Sequence, residues 1–228
     1  MKTAPICATL ALMLALAACG NGPDAGKSNP QMMAIKAAFS AAVGAPDTRS
    51  STGVTGPAAV AARQILEQDG QPIITMRNTA LRFFAFMAPL GDNGPVRTWS
   101  TEAFETVALR DGIVMATRGL GNDLMSAESP TAAQIARGTG VYQRTYYLLD
   151  GADQTVKIAA QCDLQSLGAE VIDVLGRSYS TRKIAENCGI NGKTVTNTYW
   201  FDRSSHVLQS QQWISPQVGQ VLIQSIVD

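Results

Sequence analysis

The chain has 228 residues, 46% of them hydrophobic and 16% charged, with 18 basic residues against 18 acidic ones. That composition suffices for one domain with a sizeable core and carries too little charge for a disordered, solvated tail. Balanced charge leaves no basic field to draw in nucleic acid, so no nucleic-acid partner is expected.

The N-terminus opens with Lys2 and an apolar run from Ile6 to Ala18, closing on Leu16-Ala17-Ala18-Cys19. An early basic residue, an apolar segment too short to span a bilayer and small residues before a cysteine read as a secretory signal. Leu-Ala-Ala-Cys fits the bacterial lipobox. Residues 1–18 are then the signal peptide, and the Cys19 thiol takes a diacylglyceryl group before becoming the mature N-terminus. The alternative is an ordinary signal peptide with a cysteine near its cleavage site. Each buried methylene contributes about 0.8 kcal/mol, so several acyl chains such as palmitate on one cysteine hold the protein durably. Gly20 follows in place of an aspartate, and by resemblance to bacterial lipoproteins nothing retains the protein at the inner membrane. The expected location is the periplasmic face of an outer membrane, with the lipid as the membrane contact.

Cys7 leaves with the signal and Cys19 is consumed by lipid, so of four cysteines Cys162 and Cys188 remain. In an oxidising periplasm they are expected to pair. A bridge closing that loop contributes about 3 to 4 kcal/mol on the chain-entropy view. Neither cysteine has a histidine or second cysteine at ligand spacing, so no metal site is expected, and there is no Cys-x-x-Cys redox pair.

From Cys19 to Pro30 the chain is rich in Gly, Pro, Asn and Asp and reads as a flexible linker, leaving residues 31–228 as one domain. Met32, Ile35, Phe39 and Ala42 recur at helical spacing over Gln31–Val43, and Ala58, Ala62, Ile65 and Leu66 do so between Pro57 and Gly70. Two short N-terminal helices are predicted. After Gly70 the period changes to two. A succession of strands follows from Pro72–Arg77 to Val221–Val227, including Thr79–Met87, Val156–Leu164 and one long strand over Val171–Ala185. Ser129–Gly138 is a helical or irregular insertion. Asp92-Asn93-Gly94, Asp111-Gly112, Asp150-Gly151 and Asn191-Gly192 supply turns. Connections this short force antiparallel neighbours. The predicted fold is mainly β: an antiparallel up-and-down sheet curling into a barrel or half-barrel, with the two helices covering one edge.

Two stretches stand out chemically. Arg118-Gly-Leu-Gly-Asn122-Asp123-Leu-Met follows a strand, but it lacks both the phosphate-loop lysine and the Gly-x-Gly-x-x-Gly spacing, so nucleotide binding is unsupported. It reads either as a sharp turn whose Asn122 and Asp123 bond local backbone, or as a polar ligand contact by Arg118, Asn122 or Asp123. Tyr199-Trp200-Phe201 and, across a turn, Gln209, Gln211, Gln212 and Trp213 combine aromatic faces with amides, as a sugar-binding surface does. Alternation sends Tyr199 and Trp200 to opposite faces, so the same residues also suit a hairpin with half its rings in the core.

Together the Arg118–Met125 motif, Tyr199-Trp200, Gln211-Gln212-Trp213-Ile214-Ser215-Pro216 and the Cys188 segment resemble the YjbF/GfcB family of lipoproteins. The resemblance spans most of the chain after Gly70. It implies a β-barrel-like fold, outer-membrane attachment and a part in group 4 capsule or exopolysaccharide secretion, with no catalytic residues to carry over.

An enzyme is not expected. There is no Gly-x-Ser-x-Gly and no His-Glu-x-x-His, and the single histidine, His206, follows two serines in a predicted turn. The reading is a non-enzymatic accessory, without cofactor, that binds polysaccharide or an envelope export protein. The alternatives are a lipid or lipoprotein carrier using a curved sheet lidded by the helices, and a glycan hydrolase.

Overall fold

A computed structural model describes residues 54–227 together with Met33, Ala37 and Ser40. The signal, Cys19, the linker and most of the helix expected over Gln31–Val43 lie outside the described residues. Helix α1 (Gly56–Asp69) begins with Pro57 in its first turn and stops at Gly70, whose left-handed φ of 67° lets its N–H reach back to the Leu66 carbonyl.

Twelve strands follow: β1 (Ile73–Asn78), β2 (Phe83–Asn93), β3 (Val96–Ser100), β4 (Thr106–Arg110), β5 (Ile113–Arg118), β6 (Leu124–Glu128), β7 (Thr139–Leu149), β8 (Thr155–Val174), β9 (Arg177–Ile190), β10 (Lys193–Phe201), β11 (Val207–Ser215) and β12 (Gly219–Val227). A four-residue helix, α2 (Ala132–Ile135), separates β6 from β7 and is capped by the reciprocal Thr131–Gln134 pair. Each strand pairs antiparallel with its neighbour in sequence, with β5 and β6 as the exception, and β1 pairs with β12. The result is an up-and-down sheet nearly closed into a barrel, open between β5 and β6.

Two faces are distinguishable. The largest apolar cluster draws on strands all round the sheet, among them Met76, Met87, Trp99, Leu124, Ile190 and Val221, so it is the interior. A second cluster joins Ala59, Ala62 and Leu66 of α1 to Phe84, Phe86, Trp200 and Ile226 and lies on the outside. It is completed by the end of the β8–β9 hairpin, where Ile172, Val174 and Leu175 extend past β7 and fold against α1.

This hairpin departs from the sequence reading. One strand was expected over Val171–Ala185, but Leu175 and Gly176 turn the chain with φ of 47° and 77°. Leucine gives none of the usual turn signal, and its apolar contact with α1 holds it in that conformation. A Cβ on Gly176 would lie 2.8 Å from the Val60 nitrogen, so close approach of the helix requires glycine. Strand β6 was also not anticipated, because Leu-Met-Ser-Ala-Glu barely alternates.

Arg63 locks the outer layer. It is 4% exposed, its Nε donates to the Leu175 carbonyl at 3.1 Å, its Nη1 to the Ile226 carbonyl at 3.0 Å, and its Nη2 to the Val174 carbonyl. One side chain thus ties α1, the hairpin end and β12 together. Arg63→Ala leaves three carbonyls without this donor, and an unsatisfied buried group costs about 1–3 kcal/mol. The expected loss is about 3 kcal/mol, read as a lower denaturant midpoint; an unchanged midpoint would contradict the role.

Candidate functional site

The barrel has two unlike ends. At one lie the β2–β3, β4–β5 and β10–β11 turns together with α2, and there the interior opens into a cavity of about 740 Å³. The cavity exists because the barrel is pinched. Strand β5 crosses the interior toward β11, where the Gln212 amide reads its backbone like a neighbouring strand: Oε1 accepts from the Val114 N–H at 3.0 Å, and Nε2 donates to the Gly112 carbonyl at 2.8 Å. A Cβ on Gly112 would lie 2.6 Å from that of Val207, so the pinch needs glycine there. On one side of it, Ala132, Ile135 and Ala136 pack on Leu164, Ile184 and Phe201 and fill the mouth. The other side remains open.

The open wall is built from a hairpin whose turn is Gly94-Pro95. Asp92 faces Arg97 across the ladder, and the guanidinium grips the carboxylate with contacts of 2.8 and 3.2 Å. Arg97 thereby holds the Asp92 carboxyl below the usual carboxylate range. Two residues further along the same face, Trp99 lines the cavity with Arg97 5.8 Å from its ring centre. Asp111, Ser204, Ser205 and His206 complete the rim.

Below the pinch lies a buried polar network. Arg144 and Glu186 are 2% and 0% exposed and form a forked pair, with Nε to Oε1 and Nη2 to Oε2 both 3.0 Å. Tyr199 donates to Glu186 Oε2 at 2.9 Å and accepts from Arg144, and Asn197 Nδ2 donates to the same carboxylate oxygen at 2.8 Å. Burial works against the Arg144 charge, but Tyr199 and Glu186 outweigh it and raise its affinity for the proton. Burial pushes the Tyr199 phenol well above its ordinary value, so it stays a donor. The Cys162–Cys188 disulfide lies beside this network, joining directly opposed residues of β8 and β9. Sulfurs and Glu186 carboxylate are close enough to resemble a metal cluster, but both sulfurs are committed to the disulfide and the carboxylate to Arg144.

The residues singled out from sequence fall into separate places. Arg118 ends β5, and Asn122 and Asp123 sit in the loop that follows it across the open seam. Asp123 accepts from the N–H groups of Gly119 and Leu120 and from Thr117 Oγ1, while Arg118 donates to the carbonyls of Leu124 and Met125 on β6. For Asp123 these include bonds to local backbone. Asn122 is exposed, its carbonyl accepts from Ser215 Oγ, and the three residues border a dent of about 180 Å³. Tyr199 is inside the barrel, whereas Trp200 is outside, buried under the hairpin with Lys183 5.1 Å over its ring. Neither ring offers a free face to a ligand. Trp213 is half-buried and edge-on to Tyr146 at 4.9 Å. Gln209 and Gln211 are bonded to Gln224 and Gln220 on the outer face.

Sequence reasoning missed Asp92, Arg97 and Trp99, although opposite charges flanking Gly94-Pro95 are a readable cross-strand signal. It also missed Arg144 and Glu186; a lone charge among alternating apolar residues, as in Tyr142-x-Arg144-x-Tyr146-x-Leu148, marks an inward charge that must be paired.

With this geometry in place, comparison with family models finds a match over residues 33–226 to the family described as group 4 capsule polysaccharide lipoprotein gfcB, YjbF. The chain belongs to the YjbF family. A solved structure of the hypothetical lipoprotein YmcC from Escherichia coli (K12) is similar to it, with 15% identity, a TM-score of 0.64, and 72% of this chain and 87% of that chain covered. At that identity the likeness concerns fold alone. A putative exported protein with YmcC-like fold from Bacteroides fragilis NCTC 9343 matches at 12% identity over 69% of this chain and 94% of that one, with a TM-score of 0.33. Comparison with curated proteins found no match. YjbF membership makes this a capsule-polysaccharide-associated lipoprotein, with the barrel-like fold expected from its residues.

The buried pair generates a test. Arg144→Met strands the Glu186 charge and is expected to cost about 3–5 kcal/mol, whereas Arg144→Met with Glu186→Leu costs less than the single change. Denaturant titration of both variants checks this; a double variant weaker than the single one would contradict it.

Proposed function

We propose that the chain is held by lipid on Cys19 at the periplasmic face of the outer membrane, where it acts as a non-enzymatic binding accessory in capsule or exopolysaccharide production or export. The observation that carries the binding role is the open cavity at the barrel mouth. A barrel serving only as a spacer has no need of one, and this volume lies within the range of small-ligand sites. Its partner is polysaccharide or an envelope export protein presenting a chain to the mouth.

A hydrolase is poorly supported by the same site. Asp92 and Asp111 both line the mouth, but the Asp92 carboxylate is spent on its ion pair with Arg97 and is not free to serve as one of two carboxyls flanking a glycosidic bond. The helix-lidded carrier also needs restating, because α1 packs on the outer face and the cavity belongs to the barrel interior.

Two measurements test the proposal. Radioactive palmitate fed to the host labels the wild-type protein and leaves Cys19→Ser unlabelled; an unlabelled wild type would remove the anchor. Ala133 is an exposed residue of α2 on the mouth, and Ala133→Trp narrows the opening without entering the core. Retention of this variant on purified host exopolysaccharide is expected to fall at least tenfold at unchanged thermal stability, and equal retention would place binding elsewhere.

A further inference from the structure

The lining of the mouth cavity changes character with depth. Among its buried residues, Ile74, Trp99, Leu109, Ala132 and Ile223 present only carbon or an aromatic face, and Ser210 is the polar one. Its charged residues, Asp92, Arg97, Asp111 and His206, are all exposed at the rim.

We infer that the cavity takes an amphiphile, a single hydrocarbon chain carrying a hydroxylated head, with the chain inside and the head at the rim. This rests on the reading of the cavity as the ligand site and names what fills it. A saccharide pushed to the floor must surrender its water there, and each hydroxyl buried without a partner costs about 1–3 kcal/mol. The floor offers little in exchange. Ser210 Oγ already accepts from Gln212 Nε2 at 2.8 Å, the Gln212 amide is spent on β5, and Ser225, half-buried on the wall opposite Ile74, is already partnered. A methylene chain strands no polar group in the same space. At the rim the balance reverses: Ser204 and Ser205 are exposed and can meet hydroxyl groups, and Asp92 neutralises Arg97, so that pair calls for no charge on the head. A glycolipid and a lipid-linked saccharide share this chemistry.

The test uses octyl, decyl and dodecyl maltosides below their micelle concentrations, titrated into the purified protein. Of the three tryptophans, Trp99 alone lines the cavity, so its fluorescence reports occupancy and Trp99→Phe removes the signal. Affinity is expected to rise about fifteenfold for every two methylenes added, the equivalent of about 0.8 kcal/mol for each. Calorimetry on Trp99→Phe should show the same chain-length dependence. Maltose alone should bind at least a hundredfold more weakly than dodecyl maltoside, and Ala133→Trp should lose most of the dodecyl maltoside affinity. A flat chain-length series, maltose binding as well as dodecyl maltoside, or an undiminished Ala133→Trp would each overturn the inference. A flat series while Ala133→Trp still loses polysaccharide retention would leave the cavity as the ligand site and remove only its hydrocarbon occupant.

Discussion

Closing the ring through β1 and β12 is the constraint on which the rest depends. Strands laid down in chain order form a ring only if the first pairs with the last, and that ladder joins the start of β1 to the end of β12 at Ile73 and Val227. The remaining gap then falls in mid-chain, between β5 and β6. An open sheet edge invites pairing with other chains unless it is blunted. Here side chains do the blunting: Arg118 covers carbonyls of β6, Arg110 reaches Ser129 just beyond it, and Gln212 occupies β5 from within. The glycine-rich loop crosses the seam because Gly119 and Gly121, at φ of 87° and 98°, let Asp123 gather the turn's amides. A motif that resembles a ligand loop in sequence thus also protects a sheet edge.

The same pinch divides the interior into parts with different chemistry. One holds the forked Arg144–Glu186 pair with Tyr199 and Asn197 as satisfied neighbours, sealed at the mouth by α2. Replacing such a pair with apolar residues is often neutral or stabilising, so its presence is not by itself a source of stability. It does fix β7, β9 and β10 in one relation, because any slip in register would strand a buried charge. The other part keeps open volume beside Trp99. Rigidity on one side of Gln212 and space on the other is an arrangement suited to a site with a preformed wall.

Much of the architecture was legible beforehand, since period-two alternation and short polar turns report directly on an antiparallel meander. Helix α1 was readable from Pro57 and Gly70. What escaped has a common physical origin in tertiary contact. Leu175 turns the chain because α1 receives it, β6 exists because β7 pairs with it, and Trp200 is buried because a distant hairpin folds over it. Two rings of the candidate platform are withdrawn for the same reason: alternation sends Tyr199 and Trp200 apart, but nothing local says that both would be buried, while Gln209, Gln211 and Trp213 stay half-buried. The mouth wall was missed because a charged pair around Gly94-Pro95 resembles ordinary surface until Trp99 is seen lining a cavity behind it.

Membership of a capsule-associated lipoprotein family gives the barrel a setting in the envelope, and the mouth is the site proposed for its binding role. The most direct measurement is a crystal structure of the protein grown with a lipid-linked saccharide from its own host. The account predicts hydrocarbon density between Trp99 and Ile223, with the first sugar at the Asp92–Arg97 rim. Density over the outer glutamines Gln209 and Gln211, with the mouth holding only water, would contradict it.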